Sequence, residues 1–239
     1  MSHVGCLAHA ADLLPTPIAP GEIVSLFGSG LGPADPAQFR LDPNGRVPTT
    51  LAGVRVLFDG IAAPLLYVAS GQINAIVPAG IRGKARVTVR VENGGVSAAP
   101  FTVSVVDLAP AFFTLDGTGS GAAAALNQDG TINTPANPAH RGEVVALFGT
   151  GALWAAGTID GAINPLVINS LPLNFEVWGM TASRPVEVLF AGPAPGQFAG
   201  MFQLNIRIPF DSWTGDHVPV NAGFRDTPAG YSQTIAIRE

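Results

Sequence analysis

The sequence predicts an all-β chain built as two tandem β-sandwich repeats. Three observations carry this: a doubled motif, strands with clean period-two alternation, and turn residues spaced between them. Gly21-Glu22-Ile23-Val24-Ser25-Leu26-Phe27-Gly28-Ser29-Gly30 returns as Gly142-Glu143-Val144-Val145-Ala146-Leu147-Phe148-Gly149-Thr150-Gly151, 121 positions later. Gln72-Ile73-Asn74-Ala75-Ile76-Val77-Pro78 returns as Gln203-Leu204-Asn205-Ile206-Arg207-Ile208-Pro209, 131 positions later. An insertion of ten residues in the second copy reconciles the two offsets. A repeat at this period means one structural unit copied, so 239 residues divide into two sandwiches rather than one large β domain.

Each strand is readable in order. Val54-Arg55-Val56-Leu57-Phe58 ends at Asp59-Gly60, a dipeptide suited to a tight hairpin because both residues tolerate positive φ. Arg86-Val87-Thr88-Val89-Arg90-Val91-Glu92 alternates strictly, with valines on one face, and Asn93-Gly94-Gly95 turns the chain toward Phe101-Thr102-Val103-Ser104-Val105. In the second copy, Phe202 to Ile208 alternates until Pro209, which cannot donate to a ladder, and Gln233 to Arg238 closes the chain. Asn127-Gln128-Asp129-Gly130-Thr131 reads as a hairpin turn. Short strands at this spacing give two tandem immunoglobulin-like β-sandwich repeats. The expected division is an N-terminal tail or linker over 1–13, a first repeat over 14–108 and a second over 109–239. Ala111-Phe112-Phe113-Thr114-Leu115 wants burial, so the repeats are expected to pack together rather than swing.

Composition narrows the function classes. A formal charge of −5 with no Lys/Arg cluster argues against nucleic acid. No apolar run approaches the length of a spanning helix, so membrane insertion is not expected. The single cysteine, Cys6, has no internal disulfide partner. The opening residues lack the basic start and apolar stretch of an export signal, and read as linker, remnant or leading strand.

Chemistry-bearing patterns fail one by one. Gly117-Thr118-Gly119-Ser120-Gly121-Ala122 fits a dinucleotide fingerprint but lacks the following helix that would aim amides at a pyrophosphate. No Gly-x-Ser-x-Gly elbow is present, and His3, His9, His140 and His217 read as solvated histidines of the tail and loops. Paired zinc-ligand spacings are missing; Asp211-Ser212-Trp213-Thr214-Gly215-Asp216 is the best calcium-loop pattern, and turn chemistry explains it better. No catalytic, cofactor-binding or metal residues are therefore assigned, and no cofactor is expected.

Two sets of residues stand out as candidate contacts for a partner or glycan. Gln72 and Asn74, like Gln203 and Asn205, share one strand face; they either present amides to a ligand or lock the sandwich, and locking is the commoner role. Trp154, Trp178 and Trp213 all fall in the second copy, which suits a contact surface peculiar to it, although core packing is the commoner fate of any one of them.

Pro17 to Gly28, Tyr67 to Pro78, Asn127 to Asn133, and Phe190 to Gly196 leading into Gln203-Leu204-Asn205 resemble, in this order, the Solibacter-type uncharacterised C-terminal domain. The resemblance runs over nearly the whole chain. It implies the C-terminal part of a large secreted or surface protein of acidobacterial type, copies similar to the immunoglobulin-like IPT/TIG sandwich, and no established activity. The functional expectation is a non-catalytic extracellular or cell-surface module for adhesion, scaffolding or display, meeting a protein or glycan surface. The alternatives are a carbohydrate-binding module and a self-assembling filament or surface-layer subunit.

Overall fold

The computed structural model describes residues 2–15, 17–152, 159–167, 175–181, 185–224 and 233–239. The first half contains strands β1 (His3–His9), β2 (Ile23–Ser29), β3 (Ala37–Gln38), β4 (Val54–Phe58), β5 (Ile61–Ala62), β6 (Leu65–Val68), β7 (Gln72–Ile76), β8 (Arg86–Asn93), β9 (Val96–Ser97) and β10 (Phe101–Ser104). The second contains β11 (Ala111–Phe112), β12 (Gly121–Ala122), β13 (Ala125–Leu126), β14 (Ala139–His140), β15 (Val144–Thr150), β16 (Phe175–Trp178), β17 (Glu187–Pro193), β18 (Met201–Arg207), β19 (Gly215–Phe224) and β20 (Gln233–Arg238).

Four sheets form two sandwiches. The first lobe pairs a β1-β2-β7-β6-β3 sheet with a β10-β8-β4-β5 sheet. The second repeats the plan with β11-β15-β18-β17 and with β12-β20-β19-β16. The doubled motif is β2 and β15, and the doubled Gln-x-Asn segment is β7 and β18. They pair the same way, Leu26 opposite Ile73 and Leu147 opposite Leu204. The alternation read from sequence is realised: Val87, Val89 and Val91 are buried while Arg86, Thr88 and Arg90 are exposed.

Each lobe has its own core. Val24, Leu26, Phe58, Ile73 and Val89 centre the first. Leu147, Phe202, Leu204, Ile206 and Val220 centre the second, where the Phe112 and Phe202 rings meet edge to face at 5.4 Å. Turn chemistry sets the registers. Asp59 and Gly60 take φ of 47° and 83° between Phe58 and Ile61, the two-residue hairpin their types favour.

The opening residues take the leading-strand alternative. Residues 3–9 are an edge strand along β2, with Leu7, Ala8 and His9 buried and Cys6 exposed. Among the described residues no helix is long and apolar enough to cross a membrane.

The Asn127 to Asn133 segment shows how polar side chains replace missing backbone pairing. Asp129 accepts from the Thr131 N–H at 3.0 Å and hydroxyl at 2.6 Å, closing the turn. The buried Asn133 amide then acts as one more strand residue for β20: its Nδ2 donates to Ala236 O at 3.0 Å and its Oδ1 accepts from Ala236 N–H at 2.7 Å. Asn133→Ala leaves both groups of Ala236 unpaired, so the variant is expected to lose about 1–3 kcal/mol in urea unfolding with the folded strand content unchanged.

Candidate functional site

The two Gln-x-Asn segments are built alike. On β7 and β18 the residues between and beyond them, Ile73, Ala75, Leu204 and Ile206, are buried, so the amides lie half-buried on the opposite, outer faces. Gln72 Nε2 donates to Asn74 Oδ1 at 2.8 Å, and Gln203 Nε2 donates to Asn205 Oδ1 at the same 2.8 Å. In the first lobe Ser25 Oγ adds a third group, donating to Asn74 Oδ1 at 3.1 Å from the neighbouring strand. Each pair thus ties its own strand face instead of reaching a distant loop.

The tryptophans lie elsewhere. Trp178 stands on β16 opposite Asn221, 39% exposed, and Trp213 lies in the turn before β19, 50% exposed, its backbone N–H donating to Met180 O. Trp154 lies outside the described residues. The more common fate, burial in the core, does not hold for the two described rings. Nor do they form a platform with Gln203 and Asn205, because β16 and β18 belong to opposite sheets. Phe210 is more exposed still, at 75%, and its ring edge sits over Gly142.

The remaining patterns are accounted for. Gly117 to Ala122 leads into strand β12, not a helix, so the dinucleotide fingerprint has no helix N-terminus behind it. Asp216 is held by Arg238 Nη2 at 2.5 Å, which commits the carboxylate. Among the described residues no three His, Cys, Asp or Glu side chains gather as metal ligands.

What the sequence reading missed is the joint between the lobes. The end of the second motif sits on the start of the first. Thr150 Oγ1 accepts from Ile23 N–H at 2.9 Å and donates to Gly200 O at 2.7 Å. Beside it Asp160 Oδ1 accepts from Ala79 N–H at 3.0 Å, Gly161 O accepts from Val47 N–H at 2.8 Å, and Phe39 meets Phe198 edge to face at 5.9 Å. The approach is so close that a Cβ on Gly161 would stand 2.7 Å from Val47 O, and one on Gly200 would stand 2.7 Å from Gly21 O. Both glycines have positive φ as well, so two separate constraints demand them.

A buried polar cluster lies under this joint. His9, Asp12 and Glu22 are all buried, so the reading of the histidines as solvated is wrong for His9. His9 Nε2 must carry the proton, since it bonds Ala109 O at 2.9 Å and a carbonyl only accepts. Its Nδ1 accepts from Ala11 N–H at 3.1 Å, which fixes a neutral ring. Burial accordingly pulls the His9 pKa down against the opposing effect of Asp12 and the Ala109 bond. Glu22 Oε2 accepts from Ala19 N–H at 2.6 Å, while Oε1 finds no hydrogen-bond partner. Burial pushes its carboxyl well above the usual range, opposed by the Ala19 bond. The one sequence signal here is the recurrence of Glu22 as Glu143; nothing in the sequence marks His9.

The sign follows from linkage. Glu22 holds its proton more tightly folded than unfolded, so its contribution is full below about 4.5 and is lost as pH rises through the folded pKa. His9 acts oppositely, its contribution being lost as pH falls below 6.5. Glu22→Gln keeps an oxygen for Ala19 N–H and removes the titration. In urea unfolding from pH 5 to 8 the wild type is expected to lose stability relative to the variant as pH rises; parallel curves contradict the buried-acid assignment.

A protein-family model matches part of the chain. Residues 12–105 match the IPT/TIG domain. No curated protein matches the chain. Among solved structures, the full extracellular region of plexin A4, domains 1 to 10, aligns at 10% identity over 98% of this chain and 16% of that one, with a TM-score of 0.32. SGBP-B, from a complex xyloglucan utilization locus in Bacteroides uniformis, aligns at 13% identity over 99% of this chain and 48% of that one, with a TM-score of 0.26. The chain thus spans less than half the length of either, and scores this low bear on neither fold nor function. The first lobe matches the IPT/TIG domain directly and the second repeats its strand plan, giving an IPT/TIG-like immunoglobulin fold.

Proposed function

We propose that the chain is a non-catalytic extracellular module that holds two β-sandwiches at fixed spacing for adhesion, scaffolding or display. The observation that carries this reading is the locked joint. Hydrogen bonds and glycine-only contacts between the lobes suit a rigid spacer that presents loops, and such a module needs no catalytic pocket. The sequence resemblance to the Solibacter-type C-terminal domain supports placing it at the C-terminal part of a secreted or surface protein, with the lobes dividing between residues 108 and 109.

Carbohydrate binding is the second reading, favoured by the exposed rings of Trp178 and Trp213. The two readings separate in one pair of measurements. Antibody labelling of intact cells of the native source is expected to find the chain on the surface or in the medium, and confinement to the cell interior contradicts the reading. A glycan array with the purified chain is expected to be blank; glycan binding that is lost in Trp178→Ala or Trp213→Ala moves the assignment to the second reading.

A further inference from the structure

The side of the first lobe is open where that of the second is closed. In the second lobe Phe112 stands opposite Gly149 on β11, and Ala125 stands opposite Leu147 on β13. The matching positions in the first lobe, Val4 opposite Gly28 and Leu7 opposite Leu26, lie on one strand, β1. Residues 113–124 therefore stand where the first lobe has only Gly5 and Cys6, at the bulge in β1. That excursion leaves its own sheet and crosses the side of the sandwich. It lays β12 parallel to β20, Gly121 opposite Gln233 and Ala122 opposite Thr234. Ala123 N–H donates to Thr234 O at 2.9 Å, and Ala123 ends 2% exposed in the second core.

The first-lobe counterpart of β20 is β10, because Ile18 bridges Val105 in parallel as Ala139 bridges Ile237. By that register Thr102 answers to Thr234 and Phe101 to Gln233. Ser104 O accepts from Ile18 N–H at 3.0 Å, and Val106 N–H donates to Ile18 O at 2.9 Å. Outward backbone groups alternate along a strand, so Thr102 turns its N–H and C=O to this same side. Among the described residues no strand or bridge pairs with that side of β10 at Phe101 or Thr102. Between β10 and β1 runs a groove of about 450 Å³, lined by Val4, Cys6, Leu7, Pro15, Phe101 and Val103. Gln233 is 1% exposed under β12, whereas Phe101 is only half-buried. The groove thus exposes a flank of the first core that the second lobe covers with its own chain.

We propose that this groove takes an extended, uncharged peptide segment rich in glycine and alanine, which adds a parallel strand to β10 as Gly121–Ala122 adds one to β20. Strand addition at an open edge gives main-chain hydrogen bonds, and the neighbouring side chains set what fits. Here the lining carries no charged side chain, and the segment that fills the equivalent place is Ser120-Gly121-Ala122-Ala123. The inference goes beyond the module reading and does not depend on where the protein works.

The chain supplies its own reporter. Cys6 is its single cysteine, is exposed and lines the groove, so occupation shields the thiol. A peptide of residues 118–126, blocked at both ends, is added to the full chain and alkylation of Cys6 by a maleimide is timed. The expected result is a saturable, several-fold slowing, absent when the peptide carries Ala123→Pro, which removes the N–H that in the second lobe donates to Thr234 O. Thr102→Pro in the protein is expected to abolish protection with an unchanged unfolding midpoint, since proline is tolerated on an edge strand. In the unaltered isotope-labelled chain, the Phe101, Thr102 and Cys6 amide resonances are expected to shift with the same peptide dependence, which keeps the test independent of how the variant folds. An unchanged alkylation rate at saturating peptide, or protection that survives Thr102→Pro in a folded protein, overturns the proposal. Protection that grows with protein concentration and no peptide assigns the groove to a second copy and overturns it too.

Discussion

The hydroxyl of Thr150 holds the two halves of this molecule in one arrangement. It accepts the amide that opens the first motif's strand and donates to the loop that opens β18, so a single buried side chain satisfies backbone groups of both lobes. Each such bond contributes about 1 kcal/mol net, but removing the hydroxyl strands a buried amide at a cost of about 1–3 kcal/mol. The glycines at 161 and 200 belong to the same joint, because the backbones they bring together leave no room for a Cβ.

The repeat explains how the joint arose from ordinary sandwich parts. Glu22 and Glu143 do the same local work: each accepts from the N–H three residues earlier, at 2.6 Å from Ala19 and 2.8 Å from His140. What differs is the cover. In the first lobe the carboxyl is completely buried beside His9, which raises its pKa and leaves Oε1 without a hydrogen-bond partner. In the second lobe Glu143 stays half-buried, and Gln128 Oε1 takes the Val144 N–H at 3.0 Å where Thr150 takes that of Ile23. The second lobe closes with its own side chain the place that the first leaves to its neighbour.

Much of the fold was legible because local chemistry and global structure agree. The valines of β8, Asp59-Gly60 and the Asn127 to Thr131 turn all adopt what their residue types favour. What escaped was set by tertiary context. Residues 3–9 carry a weak strand pattern and become a strand through pairing with β2. His9 looks like any histidine until Ala109 O and Ala11 N–H bracket its ring. The alanine run after Gly121 has no period of its own, and its role as a closing strand comes from the β20 edge it meets. The amide pairs were half legible: the shared strand face follows from alternation, but the partner of each Gln is its own neighbouring Asn. The exposure of Trp178 and Trp213 could not be read at all, since aromatic residues serve cores and surfaces alike.

If the joint is what sets the spacing of the lobes, the two must tumble as one body in solution. Residual dipolar couplings of backbone amides test this most directly. The account predicts that one alignment tensor fits the amides of both lobes together as well as it fits either alone. Two tensors of clearly different magnitude or orientation, with the lobes individually intact, would contradict it.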